Sequence, residues 1–275
     1  MNYREFYLFL RIKTLLLIPM IILADNLTLD NQSLNLHGTH IYEVVSLQNT
    51  SRLNVDSTYS KLILYCDSIF IDSSSGIYAN SISINQNSMG ANFNDVGGGG
   101  AGAGYANYGG NGGGDFESLG GNVTGHSDSL ATGSIGGIGD IQLSLEDHYG
   151  GKGGGAIMVV AHFAEINGQI SANGGAGDDY FTSGGTEIWD HGGAGGGSGG
   201  HIILNILHLE MSSGSMISAK GGNGGIPFEG SDEIEQVIPG GGGGGSGGYV
   251  TISSLIEIPS EFIDVSGGGG GENQG

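Results

Sequence analysis

Residues Gly195–Gly225 read GGGSGGHIILNILHLEMSSGSMISAKGGNGG, and this stretch decides the fold. It parses as a glycine block, a strand, a turn, a second short strand and a glycine exit. The same order recurs upstream as GGKGGGAIMVVAHFAEINGQISANGGAGD, Gly150–Asp178, and downstream as GGGSGGYVTISSLIEIPSEFIDVSGGGGG, Gly243–Gly271. Gly155, Gly200 and Gly248 align, 45 and 48 residues apart, and Ile170, Ile217 and Ile263 align, 47 and 46 apart. A period of this length marks stacked supersecondary units, each burying its apolar face against its neighbours.

Within the unit the apolar positions alternate. Ile157, Ile202 and Val250 form one column, and Val159, Leu204 and Ile252 form the next, two residues on. Ala172, Ala219 and Val265 form a third. Period two is the strand signature, because successive side chains point to opposite faces. Identical columns in each repeat imply parallel stacking, like on like. The expectation is an all-β chain: a right-handed parallel β-helix or β-solenoid with glycine-rich corners and variable loop inserts. A glycine block at the same point of every unit reads as a structured corner, since glycine permits close backbone approach.

Composition divides the chain. Of 59 glycines only Gly38, Gly76 and Gly90 precede residue 97. Collagen is excluded, because no strict G-X-Y triplet occurs and Pro numbers only 4. Simple disorder fits poorly with 37% hydrophobic residues set at period two. Residues 25–95 read as polar, Ser/Asn-rich strand rungs that start or cap the stack, and 96–275 as the glycine-rich repeats. Leu62–Ala79 is an early rung without its glycine hinge, since Leu62 and Ile77 each lie 140 residues before their counterparts Ile202 and Ile217. The inserts Asp115–Tyr149, Asp178–His191 and Ile226–Pro239 carry many of the acidic residues. The chain runs out directly after a repeat, which reads as a piece of a longer protein.

Residues 1–24 read as a secretory signal peptide. Arg4, Arg11 and Lys13 form a basic start, Thr14–Leu23 is a short apolar run, and Ala24 suits the position before a cut. An uncleaved anchor is the other reading, because Ile22 is a poor −3 residue. Cleavage after Ala24 removes three basic residues and one acidic residue, taking the formal charge from −21 to −23. No later segment reaches 18 apolar residues, so no membrane span is expected in the mature chain. So acidic a surface repels nucleic acid. Four N-x-[ST] sequons, at Asn26, Asn31, Asn49 and Asn122, suit a secreted or cell-surface glycoprotein. The single cysteine, Cys66, excludes a disulfide framework and reads as a buried thiol in the column of Ile206.

The repeat resembles the glycine-rich arrays of large eukaryotic cell-surface and secreted proteins, with their GGGSGG corner, alternating strand and G-x-I-x-A-x-GG exit. The match covers Gly150–Gly271, with an echo over Leu62–Gly114. The resemblance implies a β-solenoid fold. This chain departs from it in having few repeats and none of the neighbouring domains such proteins often carry.

Several motifs bear on chemistry. G-x-S-x-G occurs around Ser198 and Ser246, but a strand follows rather than the helix a nucleophile elbow needs. Gly174–Thr182, GGAGDDYFT, fits the calcium nonapeptide once, making Asp178 and Asp179 the metal candidates. Two other adjacent acidic pairs, Glu146/Asp147 and Asp232/Glu233, could add to a calcium-responsive face. His191, His201 and His208 are close in sequence, but a metal site needs them on one face. Lys152 and Lys220 are the only basic residues after residue 61, which argues against a pectin-cleaving site. The expectation is therefore a non-catalytic structural or adhesive glycine-rich repeat protein, secreted or on the cell surface, and not an enzyme. No cofactor is expected apart from calcium, and the partners would be glycans, matrix or the chain itself. The alternative is a polysaccharide-binding or polysaccharide-cleaving parallel β-helix protein.

Overall fold

The computed structural model describes residues 25–87, 89–91, 99–114, 118–127, 129–139, 149–179, 191–228 and 239–272. The strands in chain order are β1 Leu27–Asp30, β2 Ser33–Leu36, β3 Gly38–Ile41, β4 Val44–Gln48, β5 Arg52–Val55, β6 Lys61–Ile71 and β7 Gly76–Tyr78, then β8 Ala156–Ile166, β9 Gln169–Ser171, β10 His201–Met211, β11 Met216–Ser218, β12 Tyr249–Ser253 and β13 Ile263–Asp264. One sheet runs β1-β4-β6-β8-β10-β12, with β3 also on β6. The other runs β2-β5-β7-β9-β11-β13. Every pairing between these strands is parallel. The only described helical element is a 3-10 turn at Ser260–Phe262.

The aligned columns become cross-strand neighbours. Ile202 pairs with Ile157 and with Val250, and Leu204 with Val159 and Ile252. On the second sheet Ile217 pairs with Ile170 and Ile263, and Ile77 with Ile170. Ile77, Ile170 and Ile217 are fully buried, as are Leu62, Ile157, Ile202 and Leu204, and all belong to one core between the sheets. Full burial of one such side chain stabilises by about 1.5–3 kcal/mol. Parallel strands are isolated hydrophobic surfaces until both sheets close over them, so the rungs stand or fall together.

The long strands change phase halfway. In β6 the buried residues are Leu62 and Leu64, then Ile69 and Ile71. In β8, after buried Ala156 at its start, they are Ile157, Val159 and Ala161, then Ala164 and Ile166. The ladder skips Asp67, His162 and Leu207 at that point. One residue stands outside the ladder at the same place in each of three stacked strands, and the register resumes unchanged beyond it. This keeps the core on one side despite the odd step.

The expectation of one right-handed parallel β-helix with glycine corners is corrected here. The strands make two separate parallel sheets, and no single coil closes around the core. The glycine blocks are not corners between strands. They form a third layer of extended chains that bond one another in several directions. Gly243 donates to Gly100, Gly242 to Gly225, and Gly196 donates to Gly243. A corner would bond only up and down the stack. The donors toward any one neighbour recur every third residue: Gly242, Gly245 and Gly248 donate to Gly225, Gly222 and Ala219. That is the period of a polyproline-II-type helix, which has three residues per turn and no internal hydrogen bonds. Its hydrogen bonds must therefore go to neighbouring chains.

Such packing leaves no room for a side chain. A Cβ built on Gly244 would lie 2.1 Å from the Gly268 carbonyl oxygen, whereas one on Gly269 meets nothing nearer than 3.9 Å. Gly244→Ala is expected to lower stability by at least the ~1–3 kcal/mol of an overpacked core. Gly269→Ala should be neutral or stabilising, by up to ~1 kcal/mol, through a less flexible unfolded chain. Paired thermal or urea unfolding curves measure the contrast, and equal losses in both variants would refute the lattice.

Candidate binding surface

Gly240–Gly248 lies at the centre of the glycine layer. It accepts hydrogen bonds from Gly193, Gly196 and Gly199, which run parallel to it. It donates to Ala103 and Gly100, also parallel, and to Gly225, Gly222 and Ala219, which run antiparallel. Gly113 and Gly110 donate to it from a fourth chain, and Gly271 and Gly268 from a fifth. These five neighbours are themselves linked in sequence around the centre. Gly102 donates to Gly110, Gly100 to Gly193, Gly222 to Gly197, and Gly224 to Gly269. No link joins the 110–113 chain to the 267–271 chain among the described residues. Between them lies an open groove of about 550 Å³, lined in part by Asn107, Tyr108, Gly244, Val265 and Gly270.

Among the described residues, the side chains singled out in the sequence do not converge on one site. Asp178 accepts from the Tyr149 N–H at 3.0 Å, and Asp179 from the Ile226 N–H at 2.7 Å. Each carboxylate thus caps a different backbone segment, and no group of three or more His, Cys, Asp or Glu among the described residues could hold a metal. Glu146/Asp147 and Asp232/Glu233 lie outside the described residues, as do residues 1–24 and the cut after Ala24. Asn26, Asn31, Asn49 and Asn122 are all exposed. Asn31 and Asn49 sit in turns at φ 51° and 55°, a left-handed conformation asparagine tolerates. Ser198 and Ser246 are buried; the Ser198 hydroxyl accepts from Ser134 N–H at 2.8 Å, and Ser246 donates to the Gly247 carbonyl at 3.1 Å. Cys66 is half-buried and pairs with Ala161, the same partner as Ile206. No helix among the described residues is long and apolar enough to cross a membrane.

The histidines have different surroundings. His208 is exposed, while His191 is buried and bridges to Phe228 through the backbone. His201 is fully buried at the start of β10. Its Nδ1 lies 3.0 Å from the Ser129 carbonyl, so Nδ1 carries the proton and donates. Its Nε2 is buried without a partner. The ring leans on Tyr249, which meets Tyr105 edge-on. Both tyrosine hydroxyls hold the overlying loop, Tyr249 donating to Gly125 and Tyr105 to Ala131. Burial pushes the Tyr105 phenol well above its ordinary range, and the neighbouring Tyr249 adds to the shift. Nothing in the repeat pattern announces this cluster, because Tyr249 and Ala156 occupy the same column as His201.

Comparison with protein-family models, with curated proteins and with solved structures finds no match.

Burial lowers the His201 pKa, against the opposing pull of the Ser129 carbonyl. A second proton would place an N–H on Nε2 with no acceptor. The folded state thus favours neutral imidazole, and the unfolded chain binds the proton more readily. Stability is fully present above about 6.5, the ordinary histidine value, and falls as pH drops from there toward the lower folded value. His201→Phe is expected to flatten that segment of the stability-against-pH curve. Chemical unfolding at a series of pH values between 7.5 and 5 reads it, and an unchanged slope would assign the effect elsewhere.

Proposed function

We propose that this chain is a non-catalytic structural module of a secreted or cell-surface glycoprotein, acting as a stiff spacer with adhesive capacity. One repeated bond supports this reading above all. Gly155, Gly200 and Gly248 each donate their N–H at 2.7 Å to the carbonyl of Ala79, Ala172 and Ala219, which belong to the preceding rung. Every repeat is thereby clamped to the preceding rung through the backbone, which ties the glycine blocks to the strands. Such a device resists extension without any reactive side chain. The resemblance to glycine-rich arrays of eukaryotic surface proteins points the same way. Four exposed sequon asparagines suit a secretory route.

The polysaccharide-active reading remains the competitor, and an acidic surface poor in Lys and Arg does not favour it. Expression of the full chain in a eukaryotic secretory host addresses both points. Secretion with a new N-terminus at Asp25, and a mass loss on enzymatic removal of N-glycans, is the expected outcome. Retention of an unprocessed chain would defeat the secretory part. Turnover of a polysaccharide panel that disappears when insert carboxylates are neutralised would defeat the structural part.

A further inference from the structure

The neighbours of Gly240–Gly248 alternate in polarity around it. The 110–113 chain donates, the 99–103 chain accepts, the 193–199 chain donates, the 219–225 chain accepts and the 267–271 chain donates. The alternation requires an acceptor in the sixth position, which is the groove beside Asn107 and Tyr108. The donors for it are present. Gly241, Gly244 and Gly247 are the third set of residues at the period of three, and no described residue accepts from their N–H groups. All three glycines are buried. Buried, unpaired N–H groups are costly and call for water or a ligand carbonyl.

We propose that this groove binds an extended glycine-rich segment of another polypeptide, which lies along Gly241–Gly247 as the missing sixth chain. Three donors at a spacing of three residues select a ligand whose carbonyls recur at that spacing, as in a polyproline-II-type helix. The walls select glycine. At the filled positions a Cβ would overlap a facing carbonyl oxygen, at 1.9 Å for Gly242 and 2.1 Å for Gly245. Either chain direction fits, because the lattice already holds both parallel and antiparallel neighbours. The lining carries no charged side chain, so a neutral segment is suited to it. A second copy of this chain is disfavoured by the repulsion between two bodies of formal charge −21. The proposal goes beyond the structural role above and does not depend on where the protein resides.

The test is titration of the full chain with a labelled peptide of the sequence GGGGGGSGG, flanked by lysines for solubility. A control peptide has the same ends and alanine in place of every second glycine. Saturable binding of the glycine peptide is expected for the wild type and for Gly269→Leu, a position that does not line the groove. Gly270→Leu is expected to weaken binding at least ten-fold. A Cβ there lies at an ordinary 3.5 Å from the Gly242 carbonyl and fills the groove without strain. Amide exchange in Gly241–Gly247 of the wild type should slow when peptide is added, a readout independent of any variant. Equal binding by Gly270→Leu, equal binding of the control peptide, or unchanged exchange would each overturn the proposal. Dimers in sedimentation that vanish in Gly270→Leu would also overturn it, by making a second copy the occupant.

Discussion

The hydrogen bond between two glycine backbones from different segments is the constraint on which this structure depends. At most of these bonds the chains approach so closely that no Cβ can stand between them. At Gly200 a Cβ would lie 1.9 Å from the Gly155 carbonyl, and at Gly222 it would lie 1.8 Å from that of Gly175. Each such bond contributes a net ~0.5–1.5 kcal/mol. Each glycine costs ~0.5–1 kcal/mol more conformational entropy than alanine would in a regular element. The two nearly cancel. The lattice therefore holds through the density of its cross-links and through its attachment to something that folds by hydrophobic burial.

The two sheets supply that attachment. Their core is apolar and continuous from Leu29 near the first rung to Leu209 and Ile217 in the rung before the last. Burial weakens toward the far end, where Val250, Ile252 and Ile258 are only partly covered and Leu255, Ile256 and Val265 are exposed. The glycine layer follows the same gradient: Gly240–Gly248 is buried, while Gly267, Gly269 and Gly270 are exposed. At the edge, polar fixtures replace burial. Asp264 accepts from Ser266 N–H at 3.1 Å and pairs with Lys220 at 3.1 Å. The Ser266 N–H is the main cause holding its carboxyl below the usual range. A partly exposed ion pair of this kind contributes less than about 1 kcal/mol, so the last rung rests mainly on backbone bonds.

The strand columns were legible in the sequence because side chains record which face they occupy. Ile157, Ile202 and Val250 share a column in the text and a ladder in the fold. The same logic placed Leu62 and Ile77 in an early rung, and both pair with the repeat strands. The glycine layer left no such record. A residue without a side chain cannot show an inward or outward alternation, and a period of three in a run of glycines is invisible. The reading of corners failed for that reason. The chain at 99–113 was harder still, since it only echoes the repeat in sequence, and its bonds to 193–199 and 240–248 exist only in three dimensions. The phase slip at Asp67, His162 and Leu207 was also hidden, because apolar residues occupy both faces of β10 around it.

The candidate site follows the same division. Asp178 and Asp179 were found by a motif written in side chains, and their side chains cap backbone N–H groups. Ser198 was found by a motif too, and its hydroxyl likewise serves a neighbouring N–H. The groove beside Gly244 is written in backbone, and no residue type marks it. Its polarity follows from counting which N–H groups the surrounding chains already use. In a glycine layer built from main-chain bonds, recognition at the proposed groove is also carried by the main chain. Specificity then comes from steric exclusion of Cβ atoms rather than from the charge or shape of side chains.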